Sequence, residues 1–326
     1  MSTGGEVRFR RFSLITLFTV YLLILAGGIV RSTGSGMGCP DWPRCFGRLI
    51  PPTDESQLPA DYKTKYKVHG YEAEFNATKT WIEYINRLLG AVTGVLVIIM
   101  LIFSIPFLKT DNIVFICSLL LVLLTGFEAW LGKLVISSNL SPWMVTIHMS
   151  GSLVILAILI FLIPYTRKGE FRKESFNFNP SIIVLIVLLL ATFIQIAIGT
   201  QVREQIDIIS INLNYTMREL WIGQLDFYFD IHRTLSVLLL AVNAYFTFQL
   251  KGALKENPML VRVISLLLTA FGFEVILGIS MSYLSIPAFM QPLHLLLAAI
   301  IFGIEFFILI SLYNIKSLSL KTVMEK

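Results

Sequence analysis

The sequence predicts an all-α integral membrane protein. Its eight transmembrane helices form two tandem four-helix bundles related by a pseudo-two-fold axis along the membrane normal. Three observations lead there. Hydrophobic residues make up 56% of the 326 and charged residues only 14%, with a mean hydropathy of +0.76, a balance that soluble domains do not need. Eight apolar runs are long enough to cross a bilayer, over about 12–31, 85–107, 112–136, 143–163, 181–202, 231–250, 260–283 and 289–313. Separated residues also recur at one offset. Gly126-Phe127-Glu128, Leu131-Gly132 and His148 are answered by Gly272-Phe273-Glu274, Leu277-Gly278 and His294, and Pro142 by Pro287 one position short of that offset. Each copy runs 22 positions from first glycine to histidine, and His148 and His294 lie 146 apart. The same offset carries Arg87 onto Arg233 and Asn86 onto His232. A fixed offset over several separated residues marks an internal repeat. Four spans per half then give both halves one orientation.

The first span follows Arg8, Arg10 and Arg11. It is too long for a signal-peptide core and lacks a small-residue cleavage site, so it reads as a retained helix. Its exit, Gly27-Gly28-Ile29-Val30-Arg31, matches Gly199-Thr200-Gln201-Val202-Arg203 in the fifth span, at an offset of 172. The surplus over 146 is extra length in the first outer loop, about 32–82, which holds Cys39, Cys45 and prolines 40, 43, 51 and 52. Basic residues mark the other side: Lys109 after span 2, Arg167, Lys168, Arg172 and Lys173 after span 4, Lys251, Lys255 and Arg262 around the 6–7 turn, and Lys316, Lys321 and Lys326 at the end. The short opposite turns near 137–142 and 284–287 carry no Lys or Arg. Both termini are therefore expected to be cytoplasmic. Lys63, Lys65, Lys67 and Lys79 lie in the long translocated loop and weigh little in this rule. Residues 1–168 make the N-terminal half and 169–326 the C-terminal half. The net charge of +5 is scattered over short loops, which excludes nucleic acid as a partner. Three cysteines are too few for a disulfide scaffold, and Cys117, within an apolar run, reads as packing.

Asn86, His148, His232 and His294 fall near the outer ends of spans 2, 4, 6 and 8. Arg31, Arg87, Arg203 and Arg233 share that level, with Glu83, Glu128 and Glu274 beside it or a little deeper. Ionisable residues in a membrane are costly, so these are the functional candidates. Two histidines on facing bundle helices are the usual axial ligands of a six-coordinate haem, and His232 with His294 fit that role. Gly90, Gly94 and Gly151 are expected to open the slot. The arginines would pair with haem propionates as charge-assisted forks, or simply snorkel to the interface. Glu128 and Glu274 either tie helices together or handle protons. A lone histidine at a helix end is more often a hydrogen-bonded interfacial residue. It is the register of three of the four histidines within the repeat that favours ligation. His69 lies outside the repeat and reads as a solvated loop residue. Two cysteines are too few for a structural zinc site.

Taken together, several stretches resemble the heme A synthase family over nearly the whole chain. They are the exit Gly28-Ile29-Val30-Arg31-Ser32-Thr33-Gly34-Ser35-Gly36, the pair Cys39 and Cys45, the segment Glu83-Tyr84-Ile85-Asn86-Arg87, and the histidines at 148, 232 and 294. The resemblance implies an oxidoreductase acting on a CH3 group. Such an enzyme oxidises a ring methyl of haem O to a formyl by successive hydroxylations, giving haem A for cytochrome c oxidase. It also implies a permanent haem b between His232 and His294. The substrate haem O would be received in the N-terminal half at His148, with Glu83 as the catalytic carboxylate. Arg31, Arg87, Arg203, Arg233 and Asn86 would line the two haems. The halves differ as that division requires, because Phe229 stands 146 residues from Glu83. Asn86 departs from the family pattern, which has histidine there. An amide is a poor iron ligand, so His148 alone is expected to hold the substrate iron.

A Cys39–Cys45 disulfide, in an oxidising compartment, would pin the long loop over the N-terminal site. Free thiols or a redox-active pair are the alternatives. The implied location is the cell inner (cytoplasmic) membrane. The partners are the bilayer, haem O and the enzyme that makes haem O, and a homo-oligomer is compatible with the plan. The competing reading is a membrane b-type cytochrome that passes electrons without modifying haem. The contrasts Glu83/Phe229 and Asn86/His232 argue for the enzyme, since a pure carrier gains nothing from weakening one ligand set. A secondary transporter would place its polar residues on broken helices at mid-membrane, not at one rim.

Overall fold

The computed structural model describes residues 4–66, 74–167, 171–172, 178–214, 216–254 and 256–324, with side chains described to residue 317. His69 and the basic residues Lys67, Lys168, Lys173, Lys255 and Lys326 lie outside the described residues, as does the side chain of Lys321. Nine α-helices are found among the described residues: α1 (Gly4–Ser32), α2 (Tyr62–Lys65), α3 (Ala77–Ser104), α4 (Asn112–Ser137), α5 (Pro142–Tyr165), α6 (Asn179–Asn212), α7 (Phe227–Ala253), α8 (Pro258–Tyr283) and α9 (Met290–Met324). All except α2 are long and apolar enough to span a bilayer, so the chain is a multi-pass, all-α membrane protein with eight spans. In such a setting each backbone polar group must be satisfied within its own helix. Side chains follow the same rule: Ser13, Thr16 and Thr19 of α1 donate to the carbonyls of Phe9, Phe12 and Ile15. Along α3, Ile85, Leu88, Val92, Val95, Ile98 and Ile102 are all exposed. That is a helical stripe a soluble protein would bury and a lipid-facing one presents.

Several helices outrun their apolar segments. The third begins at Ala77, eight residues before the hydrophobic run at 85, because Asn76 caps it by accepting from the Lys79 amide at 3.0 Å. This places Glu83 inside the helix, one turn before Arg87. The sixth continues to Asn212 on polar residues, with Arg203 paired to Asp207 at 2.7 Å one turn apart.

The chain separates into two compact units, Met1–Ile155 with Gln291–Leu293, and Leu156–Met290 with His294–Lys326. In the first, α1 packs on α3 and α3 on α4. Above α3 the outer loop has its own small core of Cys39, Cys45, Phe46 and Tyr62. Phe46 is its centre, set edge-on to the rings of Tyr62, Tyr66 and Phe75. The Glu55 carboxylate accepts from the Tyr62 hydroxyl at 2.6 Å, which pushes that phenol up to about 12. In the second unit, α6 to α9 share one core that includes Leu185, Leu188, Leu239, Phe246, Leu250, Ile264, Leu267, Ile301, Ile308 and Leu312.

The repeat is visible in the backbone. Asn139 and Leu140 after α4, and Ser285 and Ile286 after α8, take left-handed conformations. Leu140 N–H closes onto Val135 O at 2.8 Å and Ile286 N–H onto Met281 O at 3.0 Å, positions again 146 apart. This is the six-residue closure that ends a helix abruptly. Each tight turn brings its histidine, His148 or His294, into the first two turns of the next helix.

Candidate functional site

The second unit brings three of its polar candidates together. His232, near the start of α7, and His294, near the start of α9, have ring centroids 6.2 Å apart with planes at 73°. Glu274 of α8 places Oε1 3.1 Å from His294 Nδ1. The contact is polar but lies off the ring N–H direction, since Nδ1 has no aligned hydrogen bond. His232 Nδ1 is buried and also lacks a partner, while the His232 carbonyl accepts from Gln195 Nε2 at 2.8 Å. Glycines make room for the rings. A Cβ at Gly199 would lie 3.1 Å from His232 Cε1, and one at Gly278 would lie 3.6 Å from His294 Cε1.

The first unit repeats half of this arrangement. Glu128 Oε2 lies 2.6 Å from His148 Nδ1, and a Cβ at Gly132 would lie 3.7 Å from His148 Cε1. Gly132 and Gly278, like Glu128 and Glu274, are 146 apart. A carboxylate beside Nδ1 is the usual outer partner of a metal-bound imidazole. Each glutamate here meets a histidine on the following helix, so each contact also ties two helices together, and neither Nδ1 has an aligned hydrogen bond. Where His232 faces Gly199, the first unit has Asn86 facing Gly27, whose Cβ would lie 4.0 Å from Asn86 Oδ1. That oxygen is buried without a partner.

Glu83 and Arg87 sit under the outer loop. Cys39 and Cys45 are joined by a disulfide, and both are buried. Gly38 runs so close to α3 that a Cβ there would lie 2.5 Å from the Lys79 carbonyl oxygen, and Thr80 Oγ1 donates to Gly38 O at 2.8 Å. The Cys39 amide donates to Glu83 Oε2 at 2.7 Å. Arg87 gives Nε and one Nη2 proton to Glu83 Oε1. It gives the others to the carbonyls of Cys39 (2.6 Å), Asp41 (2.7 Å) and Arg44 (2.9 Å). All five N–H groups of the guanidinium are then engaged. Glu83 is 3% exposed, so a buried ion pair and a disulfide together clamp the loop onto α3.

A duplicated helix plan whose two halves carry matched Glu–His pairs, with a clamped disulfide loop on one half only, is specific enough to compare with known proteins. The sequence matches the family described as COX15-CtaA, cytochrome oxidase assembly protein, over residues 10–305. The chain belongs to this family. It is 30% identical over 185 residues to a heme A synthase of Shewanella oneidensis, covering 57% of this chain and 54% of that relative. It is 27% identical over 331 residues to a heme A synthase of Wolbachia pipientis subsp. Culex pipiens, covering 89% and 94%. For a heme A synthase of Wolbachia sp. subsp. Brugia malayi the figures are 26% over 323 residues, covering 87% and 90%. The chain thus spans about half the length of the Shewanella relative and nearly all of the two from Wolbachia.

Within this COX15-CtaA chain the four arginines do different things. Arg87 anchors the loop through Glu83 and the carbonyls of Cys39, Asp41 and Arg44. Arg203 is half-buried against Asp207. Arg233 is exposed, 3.1 Å from Asp230 and stacked over Phe229 at 5.6 Å. Arg31 closes α1. Gly151 also differs from expectation. Its missing side chain seats the Glu128 carboxylate, with which a Cβ would collide, and does not widen a slot. Gly90 and Gly94 have nothing within 4 Å of a Cβ. Gly151→Ala should therefore push Glu128 off His148 and destabilise the fold by roughly 1–3 kcal/mol. Thermal unfolding of the purified protein measures this, and an unchanged midpoint would contradict the seating. Gln195 and Glu305 were missed in the sequence. A polar residue alone in the middle of an apolar run was the available signal.

Proposed function

We propose that the chain is a heme A synthase, oxidising a ring methyl of haem O to a formyl by successive hydroxylations. The observation that carries the reading is the asymmetry of one repeat. The second half pairs two histidines, while the first pairs one histidine with an amide and adds a clamped carboxylate. The named relatives support it.

The second half fits a resident haem b. His232 and His294, whose ring centroids lie 6.2 Å apart, are the residues that would hold its iron. The unpartnered His232 Nδ1 and the glycine cradles at 199 and 278 suit a planar group there. Haem b in that place supplies one-electron transfer. Glu274 would steady His294 from the Nδ1 side, and Arg31, Arg203 and Arg233 would meet the propionates.

In the first half, Glu128 orients His148 toward the iron of the substrate haem O. Asn86 leaves the other face without a strong protein ligand, which suits a haem that must enter, react and leave. The Asn86→His variant should convert substrate haem in this half to a low-spin, six-coordinate spectrum, and no spectral change would sink the single-ligand assignment. Glu83 would stabilise positive charge developing at the methyl carbon or act as a base. The disulfide-bearing loop belongs on the oxidising side of the cytoplasmic membrane, which puts both termini in the cytoplasm.

A further inference from the structure

Glu305, in the middle of α9, takes no part in the reading above. It is 0% exposed, and neither carboxyl oxygen has a hydrogen-bond partner. The side chains of Thr192 on α6 and Asn243 on α7 stand against it. Thr192 is 3% exposed and Asn243 0%. Thr247, one turn beyond Asn243, is also 0% exposed. The hydroxyls of Thr192 and Thr247 and the Asn243 Oδ1 lack partners as well, while Asn243 Nδ2 donates to the Leu239 carbonyl at 3.0 Å. Three polar side chains on three helices thus converge, in a bundle interior built largely from leucine, isoleucine and phenylalanine.

The bundle does not require them. At the repeat offsets the first-half counterparts of Thr192, Asn243 and Glu305 are Val20, Val97 and Leu159, and all three are buried. The polar set belongs to the half with the histidine pair. Asn243 lies eleven residues after His232, and Glu305 eleven after His294. That is three helical turns, or about 16 Å. An ionised carboxylate at this site would need a cation. No charged side chain acts on Glu305 among the described residues. The nearest titratable groups along the packed helices are Arg203 on α6, His232, Tyr245 and Lys251 on α7, Arg262 and Glu274 on α8, and His294, Tyr313 and Lys316 on α9, each two turns or more away or, like the exposed Tyr245 with Gln249, turned to another partner. A buried carboxyl without a countercharge takes up a proton instead.

We infer that Glu305, Asn243 and Thr192 form a buried, exchangeable proton-binding site in the second-half bundle. The proton forms an O–H bond on the Glu305 carboxylate, and the acid then donates to Asn243 Oδ1 while accepting from Thr192. The site is defined by these residues alone and does not depend on the proposed reaction.

Infrared spectroscopy of the full-length purified protein in lipid nanodiscs tests it. At neutral pH a carboxylic-acid C=O band should be present, shift down in D2O, and disappear in Glu305→Gln. Asn243→Ala should move the same band upward, because the acid loses its acceptor, which keeps the test open if Glu305→Gln fails to fold. Three results would overturn the proposal: no acid band lost in Glu305→Gln, a band that never responds to D2O, or a band that sodium converts to carboxylate. The last would make this a monovalent-cation site.

Discussion

Replacing Glu83 with alanine should stop haem A production while haem b absorption stays at wild-type intensity. The carboxylate is the one candidate group of the first half with no counterpart in the second, and the histidine pair belongs to the other compact unit. The structure adds a second consequence. Without Glu83, the Cys39 amide loses its acceptor and Arg87, at 13% side-chain exposure, keeps only carbonyl partners. Breaking one side of a buried pair costs about 3–5 kcal/mol, and the three remaining carbonyls place this case at the lower end. The loop over α3 should loosen, read as faster protease cleavage between residues 39 and 66. Glu83→Gln separates structure from chemistry in part, because its one amide oxygen can still accept from Arg87 at the Oε1 position while its NH2 meets the Cys39 N–H. Its loop should loosen less than in Glu83→Ala while conversion is lost. Haem A output at the wild-type rate from Glu83→Gln would refute the chemical role.

The second large effect is expected at the histidine pair. His232→Ala or His294→Ala should remove the six-coordinate, low-spin signature of the purified protein. An outer partner of a ligand is worth roughly 10–100-fold in metal affinity, and a directly bonded imidazole at least as much. Glu274→Ala, which only releases His294 Nδ1, should weaken haem retention within that 10–100-fold range and leave a six-coordinate spectrum in what remains. Haem titration followed by absorption checks all three. Equal losses in His294→Ala and Glu274→Ala would contradict the division into ligand and orienting residue.

Much of this was legible in the chain because the repeat is a matter of counting. The 146-residue offset located the histidines, their glutamates and the tight turns, and the turns repeat down to single backbone hydrogen bonds. Hydropathy located eight spans, but it misplaced the start of α3. A helix cap at Asn76 and polar turns can extend a helix past its apolar run, and only then does Glu83 fall on the same face as Arg87. The clamp was illegible for a different reason: its bonds link residues 41 to 48 positions apart, and no local pattern records such pairing. Arg87 therefore read as a propionate partner, without its bonds to the loop. Gly151 read as a slot residue because sequence shows that space is left, not which side chain fills it. Glu305 was passed over inside an apolar run, where a single carboxylate changes mean hydropathy little.

The central claim is that the first half modifies a haem and the second half keeps one. The most direct measurement is extraction and mass identification of haem from the full-length protein, purified from cells that also supply haem O. Haem A together with haem b is the predicted result, and it would also show that Asn86 in place of a histidine permits turnover. Haem b alone, with haem O available in the same membranes, would contradict the account and leave a b-type cytochrome in its place.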